Sequence, residues 1–187
     1  MKRSTLLLAG LVLLGHFGGW AQAAKTQEQR TVGQVLDRGI SNIEEEFVST
    51  ADAMPEDKYA FAPSNGEFKG VRTFAQQIKH VAAVNYMLGA AILVQKPPVE
   101  LGGENGPDAI TSKADVMKFT KESFAYLHKA IASINEKNLL EPVKSPFNDN
   151  MITRLAIAGI AVGHCSNHYG QMVEYLRMNG IVPPASR

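Results

Sequence analysis

Residues 164–184 read HCSNHYGQMVEYLRMNGIVPP. His168 stands four positions after His164, so on a helix their rings stack on one face, about 6 Å apart. The segment also stops as helices stop, with Arg177 in the last turn, Gly180 just beyond and Pro183-Pro184 after it. Followed upstream, the helical period runs from about Asn150 to Asn179 and puts Ile157, Ile160 and Tyr175 on the histidine face. The approach to His164 is rich in small residues: Ala156, Ala158, Gly159, Ala161 and Gly163. A helical glycine costs about 1 kcal/mol relative to alanine. Two of them one turn before a histidine predict close packing or an open cavity there.

Three more segments carry the same period. A third helix opens at Ser112, with Asp115 at the capping-box position and an apolar stripe of Val116, Phe119, Phe124, Leu127, Ile131 and Ile134. A second runs from about Val71 to Gln95 with a stripe of Val71, Phe74, Ile78, Val81, Leu88 and Ile92, and Pro97-Pro98 ends it. Between them, Pro97 to Thr111 is rich in glycine and proline and reads as a long crossover loop. The first helix runs from about Gln27 to Ala53, with Val32, Val35, Leu36, Ile40, Ile43 and Phe47 on one face, and Pro55 closes it. Its run Glu44-Glu45-Glu46 reads as a solvated face, since consecutive helical residues point about 100° apart. No segment shows a convincing strand alternation. The expected fold is all-α, a four-helix bundle with a long crossover between helices 2 and 3.

The chain begins differently. Lys2 and Arg3 precede an apolar run from Leu6 to Phe17, and Ala21-Gln22-Ala23 supplies a small-x-small cleavage pattern. The run is short of the roughly 20 residues that span a bilayer, and no cysteine follows it as lipoprotein processing would need. Residues 1–23 are therefore expected to be a signal peptide, and 24–187 one mature domain, periplasmic or secreted and free of the membrane after cleavage. Without Lys2 and Arg3, 17 basic residues face 18 acidic ones. That near-neutral balance, with no basic cluster, gives no nucleic-acid footprint. Cys165 is the only cysteine, so export brings no disulfide framework within the chain.

The residues that offer chemistry are the histidines, of which His16 leaves with the leader. His164 and His168 can reach one ion. The glutamate that follows the first histidine of a zinc-protease helix is absent, and Cys165 stands in its place. A third ligand is needed. His80, mid-helix near Gln77, Val84 and Met87, is the best candidate, although such a residue taken alone is more often a satisfied core histidine. His128 competes, but Lys121, Glu122 and Lys129 around it suggest a wet surface. Cys165 projects about 100° from His164 onto an apolar stripe with Val162, Tyr169 and Met172. It is preferred as a small core residue over a soft ligand.

The stretch from Val71 to Ala82, VRTFAQQIKHVA, resembles the second helix of the DinB-like (damage-inducible) metal-binding superfamily, and residues 164–184 resemble its last helix and exit. Helix count, the long crossover and the order of the histidines agree over nearly all of the mature chain. The resemblance implies a three-histidine site for zinc, nickel or a similar divalent ion, formed here by His80, His164 and His168. It also implies a homodimer. Tyr169 follows the second histidine where a basic residue is frequent, which leaves open any role for a positive group beside the metal.

Three neutral imidazoles leave a coordination position for water or a small-molecule substrate. Gln171 and Asn167 are candidates to orient a ring or a bound water. Gln171 and Glu174 are weak catalytic candidates, with Asn85 and Tyr86 as other possible contacts. The resemblance implies a metal-dependent hydrolase or thiol-type transferase acting on a small molecule; the alternative is a non-catalytic metal-binding or stress-response module. Export disfavours the thiol branch, whose cofactors concentrate in the reducing cytosol. Mass spectrometry of exported protein is expected to find the mature N-terminus at or within a few residues of Ala24. Full-length protein confined to the cytosol would contradict this.

Overall fold

Each long helix begins at a hydroxyl residue whose side chain accepts an amide from the first turn. Thr31, Thr73, Ser112 and Thr153 accept from Gln34, Gln76, Asp115 and Ala156 and start α1 (Val32–Ala53), α2 (Phe74–Leu93), α3 (Lys113–Ala132) and α4 (Arg154–Met178). Gln34 and Gln76 return the bond to their caps' own amides, completing two capping boxes. Asp115 instead takes the Ser112 hydroxyl at 2.6 Å. The computed structural model describes residues 29–64, 66, 67 and 70–187, so the expected signal peptide and its expected cleavage site lie outside the described residues.

The caps shorten the helices expected from periodicity. α2 starts at Phe74 rather than Val71, because Thr73 caps it, and ends at Leu93, because Val94 turns left-handed at φ 54°. The start of α4 is displaced further. A two-stranded antiparallel hairpin, β1 (Pro142–Lys144) with β2 (Met151–Thr153), occupies the segment that periodicity assigns partly to the last helix. Three residues per strand are too few for alternation to register, so the sequence pattern missed it. At the other end, α4 closes with the amide of Ile181 on Leu176 O and that of Gly180 on Arg177 O, with Gly180 at φ 72°. This is the Schellman ending that Gly180 predicts.

In the bundle α2 packs against α3 and α4, and α1 packs against the same two helices, so α1 and α2 face each other across a diagonal. The apolar stripes meet in one core that includes Ile40, Phe47, Phe74, Ile78, Leu88, Phe124, Leu127, Ile131 and Ile157. Val35, expected in the stripe, is 56% exposed. It lies about 100° from its neighbour Leu36, off the Val32-Leu36-Ile40-Ile43-Phe47 line. Gly159 and Gly163 are also corrected: both are exposed, and a Cβ at either would meet nothing within 4 Å. They mark neither close packing nor a cavity wall. None of the described helices is long and apolar enough to cross a membrane.

The crossover loop lies against α2. Lys79, only 7% exposed, donates to Pro107 O at 2.8 Å and Ile110 O at 3.0 Å. Gly106, at φ 74°, comes so close that a Cβ there would sit 2.6 Å from Lys79 Cβ. Only glycine fits that position.

His128 and Glu44 differ from the wet-surface reading. The His128 ring bridges α3 to α1, with Nδ1 2.5 Å from Asp37 Oδ1 and Nε2 2.8 Å from Glu44 Oε2. Both carboxylates come from α1, one at each ring nitrogen. Burial alone lowers the pKa of His128, but the hydrogen bonds and charges of Asp37 and Glu44 outweigh it and the net shift is upward. A raised folded pKa contributes stability below the unfolded value near 6.5 and loses it as pH rises through the folded one. His128→Gln is expected to cost about 1 kcal/mol at pH 6 and less at pH 9, measured by urea unfolding. A pH-independent cost would assign the contact to packing instead.

Candidate metal centre

The adjacency of α2 and α4 sets His80 against the His164–His168 pair. Ring centroids lie 5.1 Å apart for His80–His164, 4.8 Å for His80–His168 and 4.5 Å for His164–His168. One nitrogen from each ring can be chosen so that all lie within 4.8 Å of one another, and Nε2 of His80 is 3.1 Å from Nε2 of His164. That spread of up to 4.8 Å is somewhat wider than the limit of about 4 Å set by two metal–nitrogen bonds of about 2.0–2.1 Å. The rings would draw slightly together on a shared ion.

The remaining nitrogens fix which atoms face inward. The His80 Nδ1–H donates to Glu104 O at 2.5 Å, and a carbonyl can only accept, so Nε2 carries the lone pair. Gln77, 1% exposed, donates its amide to Gln171 Oε1 at 2.9 Å and accepts the His168 Nδ1–H at 2.5 Å through its own oxygen. His168 therefore also offers Nε2. A partner of this kind sets ring orientation and raises ligand basicity. His164 Nδ1 is buried with no partner among the described residues, a cost of about 1–3 kcal/mol that favours the cluster only if its other nitrogen has a strong bond to make.

Electrostatics keeps the three rings unprotonated. Burial, His80 and Arg72 lower His164 to about 4. Burial, His164, His80 and Arg72 lower His168 to about 3. His80 is lowered chiefly by burial, with Arg72 adding to the effect. Neutral imidazole is the form that binds a metal ion. An all-nitrogen donor set of this kind suits zinc, nickel and similar divalent ions.

The other candidates separate cleanly. Gln171 reaches the centre only through Gln77. Glu174 pairs with Arg177 at 2.6 Å on the surface, and Asn167 is exposed. Asn85 is buried between Ser123 and Cys165. Tyr86 packs on Phe119 and Tyr126. Cys165 is fully buried, and burial pushes its thiol up to about 12, which makes it a core residue rather than a thiolate ligand. His128 lies with Asp37 and Glu44, away from the cluster.

Sequence reasoning missed Gln77 as the support of His168, the Glu104 carbonyl and Arg72. A glutamine buried on an apolar helix face, three residues before a histidine, was the available signal for Gln77. Nothing in the sequence ties position 104 to position 80. An apolar groove of about 600 Å³, lined by Met87, Ala91, Val94, Pro97, Leu101 and Pro146, begins two turns along α2 from His80 and is separate from the cluster.

A family model for the DinB superfamily matches residues 40–172, a span that holds all three histidines. The fold is similar to that of a DinB-like protein from Bacillus cereus, with a TM-score of 0.64 and 14% identity over 81% of this chain and 95% of that one. It is equally similar to a conserved protein from Enterococcus faecalis, with a TM-score of 0.64 and 16% identity over 80% and 97%. No curated protein matches the sequence. From the geometry, Gln77→Leu is expected to weaken zinc binding about 10- to 100-fold with helix content unchanged. Competition titration against a chelator measures this, and unchanged affinity would remove Gln77 from the centre.

Proposed function

The chain belongs to the DinB superfamily, and we propose that it is an exported enzyme that hydrolyses a small molecule at a divalent ion held by His80, His164 and His168. Convergence of the three rings carries this reading: Nε2 of His80 and His168 are both directed inward by their Nδ1 bonds, and Nε2 of His164 lies 3.1 Å from that of His80. His168 is buried whereas His80 and His164 are partly exposed, so a small molecule approaches from their side. What an ion in such a three-nitrogen site supplies is Lewis acidity and a bound water with pKa lowered toward ~7. The protein's own contribution is to hold the rings neutral and oriented. The leader, 1–23, supports placement outside the cytosol and so disfavours the transferase branch that uses cytosolic thiols. Zinc or nickel suits the donors, and a homodimer is the assembly the family resemblance supports.

One observation favours a second reading, a metal-binding module without turnover. Among the described residues, the ring partners are an amide and a backbone carbonyl, with no carboxylate in the cluster to move protons. Metal analysis of the mature protein, followed by a screen of ester and amide substrates, separates the two. Stoichiometric zinc or nickel is expected, lost in His164→Ala and His168→Ala, strongly weakened in His80→Ala and unchanged in His128→Ala. Metal retained by the His164→Ala/His168→Ala double variant would overturn the site. Stoichiometric metal without turnover on any ester or amide would favour the binder.

A further inference from the structure

Arg72 sits just before the Thr73 cap of α2, at the rim of the histidine cluster. Its carbonyl accepts the Tyr175 hydroxyl at 3.0 Å, and Tyr175 lies two turns beyond His168 on α4. Its Nε donates to Asn105 Oδ1 at 3.0 Å, and its Nη2 reaches Glu104 Oε2 at 3.5 Å. The carbonyl of the same Glu104 takes the His80 Nδ1–H. One loop residue thus touches both a ligand ring and the guanidinium. The charge of Arg72 is felt at His80, His164 and His168 alike.

The guanidinium is not needed merely to hold the loop. Lys79 already does so through Pro107 and Ile110, with Gly106 packed on its stem. Among the described residues, Nη1 of Arg72 has no hydrogen-bond partner. Among the described residues its only ion-pair partner is the Glu104 carboxylate, which is 91% exposed and so holds weakly. A divalent ion held by the three histidines, on which the Arg72 charge acts, would leave the centre with a positive excess that one solvated carboxylate does not balance. Arginine presents a planar fork matched to a carboxylate. A phosphate dianion would call for further donors, and the nearby Lys79 ammonium is already spent on two carbonyls.

We propose that Arg72 is the specificity-determining residue of this centre, and that its small-molecule substrate carries a carboxylate beside the group presented to the ion. This rests on the three-histidine metal reading. It also answers the question raised by Tyr169: the positive group beside the histidines comes from the entry to α2 rather than from α4.

The test is calorimetric titration of the zinc-loaded mature protein with succinate, with its monoamide, and with imidazole as an uncharged ligand of the metal. Succinate is expected to bind about 10-fold more tightly than the monoamide. In Arg72→Gln the preference falls to within about two-fold, while zinc content and imidazole affinity stay unchanged. Glu104→Gln keeps the carbonyl on His80 but removes the competing carboxylate, and should tighten succinate at least about two-fold. A preference that survives Arg72→Gln, or a Glu104→Gln protein that binds succinate no better, overturns the proposal. Failure to take up zinc removes the metal reading and this one together. Zinc uptake without a preference for the dicarboxylate removes this one alone.

Discussion

Lys79 buries its ammonium beneath the crossover loop, and the rest of the centre depends on where that loop lies. A buried cation must be hydrogen-bonded or it is costly, and the loop supplies two carbonyls, from Pro107 and Ile110. The close approach is possible because Gly106 has no side chain to collide with Lys79 Cβ. With 106–110 fixed in this way, Glu104 and Asn105 fall over the first turns of α2, where one orients His80 and the other receives Arg72. A segment without regular secondary structure thereby becomes part of the site. The long crossover is a structural element of the histidine cluster as much as a connection between two pairs of helices.

The same residue type is put to two opposite uses in this bundle. His128 sits between two carboxylates of α1, which stabilise its protonated form. His164 and His168 sit among other imidazoles and near Arg72, buried, with no carboxylate bonded to either ring among the described residues. Protons and metal ions compete for the same lone pairs. A histidine whose surroundings favour the proton makes a clamp, and one whose surroundings oppose it is poised for an ion. The charge environment separates these roles where sequence position alone does not.

How much of this was legible in the sequence follows from the range of each interaction. The helices, their stops and the i, i+4 pair are local: Thr31, Thr73, Ser112 and Gly180 act within a turn of themselves, and His164 needs only His168 four residues away. The all-α bundle and the DinB likeness were readable on those terms. His80 was legible only by combining its place in a helix with the family resemblance, since α2 and α4 meet through the bundle. Long-range pairings were not legible. Asp37 and Glu44 find His128 across 91 and 84 residues, and that contact converted part of an apparently solvated acidic run into a partly buried ion pair. The β1–β2 hairpin was hidden for a different reason, being too short for its period to show. Gly159 and Gly163 were over-read, because a helical glycine facing open solvent has the same sequence signature as one in a tight crossing.

The histidine cluster is best understood as a set of donors prepared ahead of the ion. Among the described residues His164 Nδ1 is buried and unpartnered, and the folded pKa values of His164 and His168, about 4 and 3, lie below the unfolded value near 6.5. The sign of the linkage follows: the folded state keeps its full stability above about pH 6.5 and loses it as pH falls, because the unfolded rings take up protons more readily. These rings are therefore a liability to stability under acid conditions and an advantage for holding an ion, since few protons need to be displaced at neutral pH. Gln77 and the Glu104 carbonyl add orientation without adding negative charge. A centre built from neutral ligands, neutral supports and one guanidinium draws its missing negative charge from whatever it binds.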